Sequence, residues 1–392
     1  MKNFHMILPT FAPDYSGVCS VLFELEGMVV IHDAGGCTGT FTGYDEPRWF
    51  DEKSCIFTSN LDDVEAVFGT DDILLDKITS AQKFLDRRFI ALLGSPSPMV
   101  LGTDIEALSK IIQQKTGKKC ISFNTKGMAF YDEGVSMALL ALAKNFLPLK
   151  RPQIIPHSVN LIGATPLDLA NRHNVNAIRK FLEESGFPVC STWAMGSTLD
   201  EISNSLGAEC NIALTASALK TARYLEHTYG MPYLTGSFSG VKGAEEGLRK
   251  LEALLTGKRY LRYTPPEQTG KRTLIVGEQL LANGIRQALE LDLNKGGIDV
   301  VSFFNADPRY MRPGDCGGID EEELTQRVRS GVYDLVIGDG LCRLFDTEQK
   351  HCRFVDIPHV AVSSRLGWGS SACPFGESLL ALMQGGNEEL CG

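Results

Sequence analysis

Short, almost wholly apolar runs alternate with longer amphipathic segments along this chain, and the alternation restarts twice after a proline-rich break. This pattern limits the available folds more than any other feature. Phe89–Leu93, Cys120–Phe123, Val159–Ile162, Cys210–Leu214, Thr273–Val276, Asp334–Ile337 and Val360–Val362 are runs of this kind. A strand that does not alternate apolar with polar is buried on both faces, which is the condition of a parallel sheet covered by helices on either side. The segments between fit that role. In Thr103–Thr116, Ile105, Leu108, Ile111 and Ile112 fall on one helical face, and Gly117 stops the helix. Asp71–Arg87, Gly134–Leu147, Asn174–Ser185, Leu219–Tyr229, Leu280–Glu290 and Glu321–Ser330 read the same way. The chain is therefore expected to be α/β, with three Rossmann-like parallel-sheet domains.

The breaks set the boundaries. Pro148, Pro152 and Pro156 mark one linker, and Tyr263-Thr264-Pro265-Pro266 marks another. At 392 residues the chain exceeds one ordinary core. The expected division is 1–150, 151–265 and 266–392. In sheets of this type ligands sit beyond the carboxyl ends of the strands, where Gly163, Gly277 and Gly338 follow theirs.

Composition removes several function classes. A formal charge of −10 argues against non-specific nucleic-acid binding, which needs basic surface to displace counterions. No uncharged apolar run is long enough to cross a bilayer, and Met1–His5 lacks the features of a signal peptide. The cytoplasm is the expected compartment, where thiols stay reduced, so the eleven cysteines are not expected to be a disulfide framework. There is no Cys-x-x-Cys pair, so any metal cluster has to draw ligands from distant segments or from a second subunit. A P-loop, a dinucleotide fingerprint, a nucleophile elbow and a His-Glu-x-x-His motif are all missing.

The stretch from Val29 to Phe68 carries the chemistry. The run Val29-Val30-Ile31 empties into His32-Asp33-Ala34-Gly35-Gly36-Cys37, so a thiol follows two glycines at the end of a buried strand. Glycine lets a backbone approach a bulky object, which points to Gly35, Gly36 and Cys37 as a cofactor contact, with Cys37 a metal ligand. The competing reading is a small loop thiol. Cys19, on an expected helix from Cys19 to Glu26, and Cys55, at the start of an expected strand from Cys55 to Asn60, are further candidate ligands or packing residues. Cys373 lies in a Gly/Ser-rich loop beside Trp368. His32 is a proton donor or a satisfied buried histidine. Arg48 contacts a partner or pairs with Asp45 or Glu46.

Several segments, taken in order, resemble the nitrogenase component 1 family. Val30–Cys37 is similar to its His-Gly-Pro-x-Gly-Cys segment. Ser54–Gly69 resembles the segment that ends Val-Phe-Gly-Gly, and Leu101-Gly102-Thr103-Asp104-Ile105 resembles Ile-Gly-Asp-Asp-Ile. Val159–Gly163, Leu182–Gly186, Tyr229–Tyr233 and Asp334–Gly338 match later marks. The family comprises nitrogenase, its cofactor-assembly scaffolds, and the dark-operative reductases of chlorophyll and nickel-tetrapyrrole synthesis.

This resemblance implies a nitrogenase component 1-like fold of three Rossmann-like domains and a homodimer with an iron–sulfur cluster, [4Fe–4S], at its interface. It also implies an ATP-hydrolysing iron protein as electron donor. Of the three interface cysteines of the family, the second matches Cys37. The first falls near Pro13 and the third near Pro96, neither a cysteine. Two Cys37 thiolates on a dimer axis, completed by Cys19 or Cys55, are the expected cluster ligands. The cysteine that anchors nitrogenase's catalytic cofactor falls near Thr215 and the cofactor histidine near Ala372, so dinitrogen reduction through that cofactor is not expected. A different metallocofactor on Cys373, or a tetrapyrrole in the interdomain cleft, is the alternative content. The leading expectation is a nitrogenase-like reductase component. A non-catalytic scaffold or carrier for a cluster or tetrapyrrole is the second, and a metal-free bilobal binding protein the third.

Overall fold

The computed structural model of the chain describes residues 5–69, 71–346, 352–370 and 373–385. Three parallel sheets follow one another. The first contains β1 (Met28–Ile31), β2 (Ile56–Thr58), β3 (Phe89–Leu93) and β4 (Lys119–Phe123) in the order β2-β1-β3-β4. The second contains β5 (Ile155–Ile162), β6 (Val189–Trp193), β7 (Ala208–Ala213) and β8 (Tyr233–Thr235) in the order β6-β5-β7-β8. The third contains β9 (Arg272–Val276), β10 (Ile298–Ser302), β11 (Cys316–Gly317), β12 (Tyr333–Gly338) and β13 (Arg353–Asp356) in the order β11-β10-β9-β12-β13. Every described strand pair is parallel. β1 and β3 are buried along their whole length, which is why their sequences show no polar alternation.

These orders decide where a ligand can sit. In the first sheet the chain leaves β1 toward β2 on one side, then returns to place β3 on the other. The connections after β1 and β3 therefore diverge and open a crevice between them. Ile31 pairs with both Thr58 and Leu93, so the three strands end level and the loops behind them share one edge. The third sheet repeats the arrangement between β9 and β12.

The helix Asp14–Leu22 lies against the helix Tyr131–Phe146 closely enough that glycine is required at the crossing. A Cβ on Gly134 would fall 1.8 Å from the Asp14 carbonyl oxygen, and one on Gly17 2.1 Å from that of Tyr131.

Several local expectations shift. The first helix covers Asp14–Leu22 rather than Cys19–Glu26, starting directly after Pro13. Val360–Val362, expected as a strand, is a helical turn (Val360–Ser363), and Arg353–Asp356 takes the place beside β12. A short apolar run has no period to separate a buried strand from a buried turn. The helix Lys242–Thr256 was not expected at all. It packs through Gly243 on Ala288 and through Gly247 on Phe238.

Candidate functional site

Cys37 lies in the crevice of the first sheet. Gly35 takes φ +115°, open to glycine and strained for other residues, and turns the chain from β1 into the short helix Gly36–Thr40. Asp33 holds this turn from beneath. Its Oδ2 accepts hydrogen bonds from the backbone N–H groups of Gly35 (2.8 Å) and Cys37 (3.0 Å), and its Oδ1 accepts from the Ser95 hydroxyl (2.9 Å). Ser95 follows β3, so one carboxylate ties together the two diverging connections. These bonds outweigh burial and hold the Asp33 carboxyl below its usual range. A Cβ on Gly35, Gly36 or Gly39 would meet nothing within 4 Å, so the loop is open on its outer side.

Tyr15, Ser95 and Asp33 surround the half-buried Cys37 thiol. Burial pushes the thiol up to about 11, a hydrogen bond from Tyr15 opposes the rise, and the Asp33 charge adds to it. Binding a metal here releases a proton. Tyr15 is two residues beyond Pro13, and Ser95 is the residue before Pro96. Tyr15 and Ser95 thus bring oxygen donors to Cys37 from segments next to the positions where the family pattern places its other cysteines.

The other candidate ligands, Cys19, Cys55 and Cys373, do not converge on it. Cys19, one helical turn beyond Tyr15, is fully buried and faces Asp45 and Glu46. Cys55 precedes β2, and its carbonyl accepts from Val29 N–H at the start of β1, so it lies at the amino edge of the sheet while Cys37 lies at the carboxyl edge. Cys373 is buried in the second sheet's apolar cluster with Phe238 and Phe375. Among the described residues no three His, Cys, Asp or Glu side chains form a metal-ion site.

His32 is buried with Nδ1 2.8 Å from the Ser59 hydroxyl, and burial lowers its pKa. Arg48 is a structural ion pair. It donates to Glu46 (2.8 Å), Glu24 (2.6 Å) and the carbonyls of Ser20 and Ala194. Glu24 also accepts from Gly196 N–H, so the network fastens the first sheet's surroundings to the second's.

A second crevice lies at the ends of β9 and β12 and is lined by residues of the second and third sheets' units. Its polar end holds Asp168, Glu278 and His359. Tyr131 reaches in from the helix after β4, donates to Asp168 Oδ1 at 2.5 Å, and lies 3.0 Å from His359 Nε2. Thr165 donates to Asp168 Oδ2 at 2.8 Å. Glu278 accepts from the backbone N–H groups of Ala216, Leu280 and Leu281. Burial, reinforced by the Asp168 charge, raises its carboxyl to about 8. No sequence signal marked this cluster, because its members are scattered over three units.

Residues 13–368 match the model of the nitrogenase component 1 type oxidoreductases. The chain belongs to the nitrogenase component 1 family. It is 27% identical over 243 residues to a nitrogenase molybdenum-iron protein alpha chain of Methanothermobacter thermautotrophicus, a match covering 57% of this chain and 50% of that one. It is 25% identical over 226 residues to the nitrogenase iron-molybdenum cofactor biosynthesis protein NifE of Bradyrhizobium diazoefficiens, covering 57% of this chain and 40% of that one. The matched segments thus span half or less of these curated relatives. In fold the chain resembles nitrogenase Cp1, solved at pH 6.5, with a TM-score of 0.72 at 14% identity over 98% of this chain and 93% of that one.

Members of the nitrogenase component 1 family bind metal–sulfur clusters, and two positions here test that chemistry. At the Cys37 crevice one chain offers one thiol, an open glycine loop and neighbouring oxygen donors, which fits a cluster shared with a second copy. Among the described residues, the region expected to hold a second cofactor leaves little room for one. Thr215 bonds the Ser217 hydroxyl (2.8 Å), and a Cβ on Gly163 would fall 2.3 Å from its Oγ1. Ala372 lies outside the described residues. The adjoining cavity measures about 40 Å³, room for two or three waters rather than for a tetrapyrrole or a metal–sulfur cage.

Proposed function

We propose that this chain is a nitrogenase-like redox component that works as a homodimer, with Cys37 from each copy holding one iron–sulfur cluster, [4Fe–4S], between them. The observation that carries this reading is the Asp33-braced Cys37 loop, open outward at the crevice of the first sheet. Apolar side chains flank it on the same edge. Val64, Val67 and Phe68 stand on the helix after β2, and Val100 and Leu101 on the helix after β3, all exposed. Such a face favours burial against another protein surface. The cluster would supply one-electron transfer, with an ATP-hydrolysing iron protein as donor. The protein's own part is to present the thiol, hold its loop through Asp33 and Ser95, and shield it on the inner side with Tyr15. Two Cys37 thiolates leave two irons of a four-iron cluster to other donors, because Cys19 and Cys55 lie away from the site. Asp33, Ser95 and Tyr15 are the nearest side-chain oxygens.

Iron and sulfide analysis with electron paramagnetic resonance on anaerobically purified protein tests the reading. Cluster signal is expected in the unaltered chain and lost in Cys37→Ala; full cluster absorbance in that variant would overturn it. The similarity to NifE supports a second reading, a scaffold or carrier in cofactor assembly. Reductant-driven turnover with an iron protein separates the two, since a scaffold shows none.

A further inference from the structure

We propose that ionic strength governs the pairing of two copies across the Cys37 face: the copies repel each other in dilute salt and associate at least about tenfold more tightly once their charges are screened. The inference rests on the pairing reading above and adds what controls it.

The apolar side chains beside Cys37 stand among carboxylates. Residues 62–77 carry Asp62, Asp63, Glu65, Asp71, Asp72 and Asp76 against a single cation, Lys77. Lys77 is engaged within its own subunit, donating to Glu65 Oε1 (2.8 Å) and to the Ser59 carbonyl (3.0 Å). That contact with Glu65 is the one salt bridge this segment makes among the described residues. The other five carboxylates are exposed, on or directly before the two helices that also expose Val64, Val67, Phe68 and Ile73.

Local structure accounts for some of these acids. Asp63, Asp71 and Asp72 fall in the first turns of their helices, where the helix dipole favours negative charge. This stabilises each helix but does not reduce the charge that an approaching partner meets, and Asp76 lies beyond the first turn. Two-fold pairing then turns the pattern into repulsion. An isologous interface uses the same patch on both subunits, so each copy brings the same uncompensated acids toward the axis. The reach of the repulsion is set by screening, about 30 Å at 0.01 M ionic strength and about 10 Å at 0.1 M. Burial of Val64, Val67 and Phe68 against the partner does not depend on charge. Salt therefore removes the opposing contribution and leaves the attractive one. The sign is the reverse of an interface held by complementary charges, which weakens as salt is added.

Sedimentation equilibrium on the full chain, purified anaerobically, tests this in sodium chloride from about 0.01 M to about 0.5 M. The dissociation constant is expected to fall at least about tenfold across that range. Asp63→Asn combined with Asp72→Asn and Asp76→Asn removes exposed charge and spares Asp62, which caps its helix by accepting from the Glu65 N–H. This variant is expected to pair more tightly than the unaltered chain in dilute salt and to lose most of the salt response, whereas a general salting-out of apolar surface would persist in it. The salt series uses the unaltered protein, so it decides the matter even if the variant fails to fold. A dissociation constant that stays flat or rises with salt overturns the proposal and leaves the pairing reading in place. An unchanged salt response in the folded variant overturns it as well. A chain that is monomeric at every salt concentration removes the pairing reading itself, and this proposal with it.

Discussion

At the scale of single residues, Cys37 is a thiol kept protonated by its surroundings. Burial and the Asp33 charge raise its pKa to about 11, above the usual thiol value, so at neutral pH the metal-free protein holds very little thiolate there. The sign follows directly: alkylation needs the thiolate, and the thiolate fraction grows as pH rises toward the raised pKa. Iodoacetamide labelling of Cys37 in cluster-free protein, followed by peptide mass spectrometry, should accelerate about tenfold per pH unit from pH 7 until it levels near pH 11. Asp33→Asn removes a charge that raises the thiol and should bring the plateau to lower pH. A plateau near pH 8.5 in the unaltered protein would contradict this account of the site. His32 and Arg48 belong to the same scale and resolve toward packing. The first is satisfied by Ser59, the second by Glu46 and Glu24.

Elements meet where glycine lets them. The helices Asp14–Leu22 and Tyr131–Phe146 bring Tyr15 to Cys37 and Tyr131 to Asp168, so one crossing positions a side chain in each crevice. Gly134→Ala would drive a methyl group into the Asp14 carbonyl. Separation of the helices is expected to cost about 3 kcal/mol or more, read as a lowered midpoint in urea unfolding. Gly43→Ala, where a Cβ meets nothing within 4 Å, should change stability by no more than about 0.5 kcal/mol. Equal midpoints for the two variants would show that the crossing does not carry this strain. Element identity was readable where the period was clear. Phe89–Leu93 and Leu219–Tyr229 were read with the bounds the structure gives them. It failed at Val360–Val362, where three apolar residues carry no period, and at the helix Lys242–Thr256.

For the whole molecule, the exposed apolar helices beside Cys37 set the expectation of pairing. Phe68 is 84% exposed and Val67 76%, so substituting them leaves the subunit core intact. Val67→Asp with Phe68→Asp should shift the solution mass by light scattering from dimer toward monomer, weakening association by at least about tenfold. Phe84→Asp, on the helix that returns toward the amino edge of the sheet, should leave the mass unchanged. A double variant that stays fully dimeric would place the pairing surface elsewhere. Among the described residues no helix is long and apolar enough to cross a membrane.

The sequence by itself determined what local periodicity and ordered motifs can carry. Three parallel sheets follow from apolar runs between amphipathic helices, and family membership from marks spread along the chain. Tertiary structure alone decided which residues share a site. Tyr131 is 37 residues from Asp168 and 228 from His359, and the packing of its helix against both segments puts them within hydrogen-bond reach. Cys19 and Cys55 are nearer to Cys37 in sequence than Ser95 is, yet Ser95 stands beside its thiol. The reason is strand order: a parallel sheet whose order reverses brings together the ends of strands that are distant in sequence, and it separates residues at its two edges even when few positions lie between them.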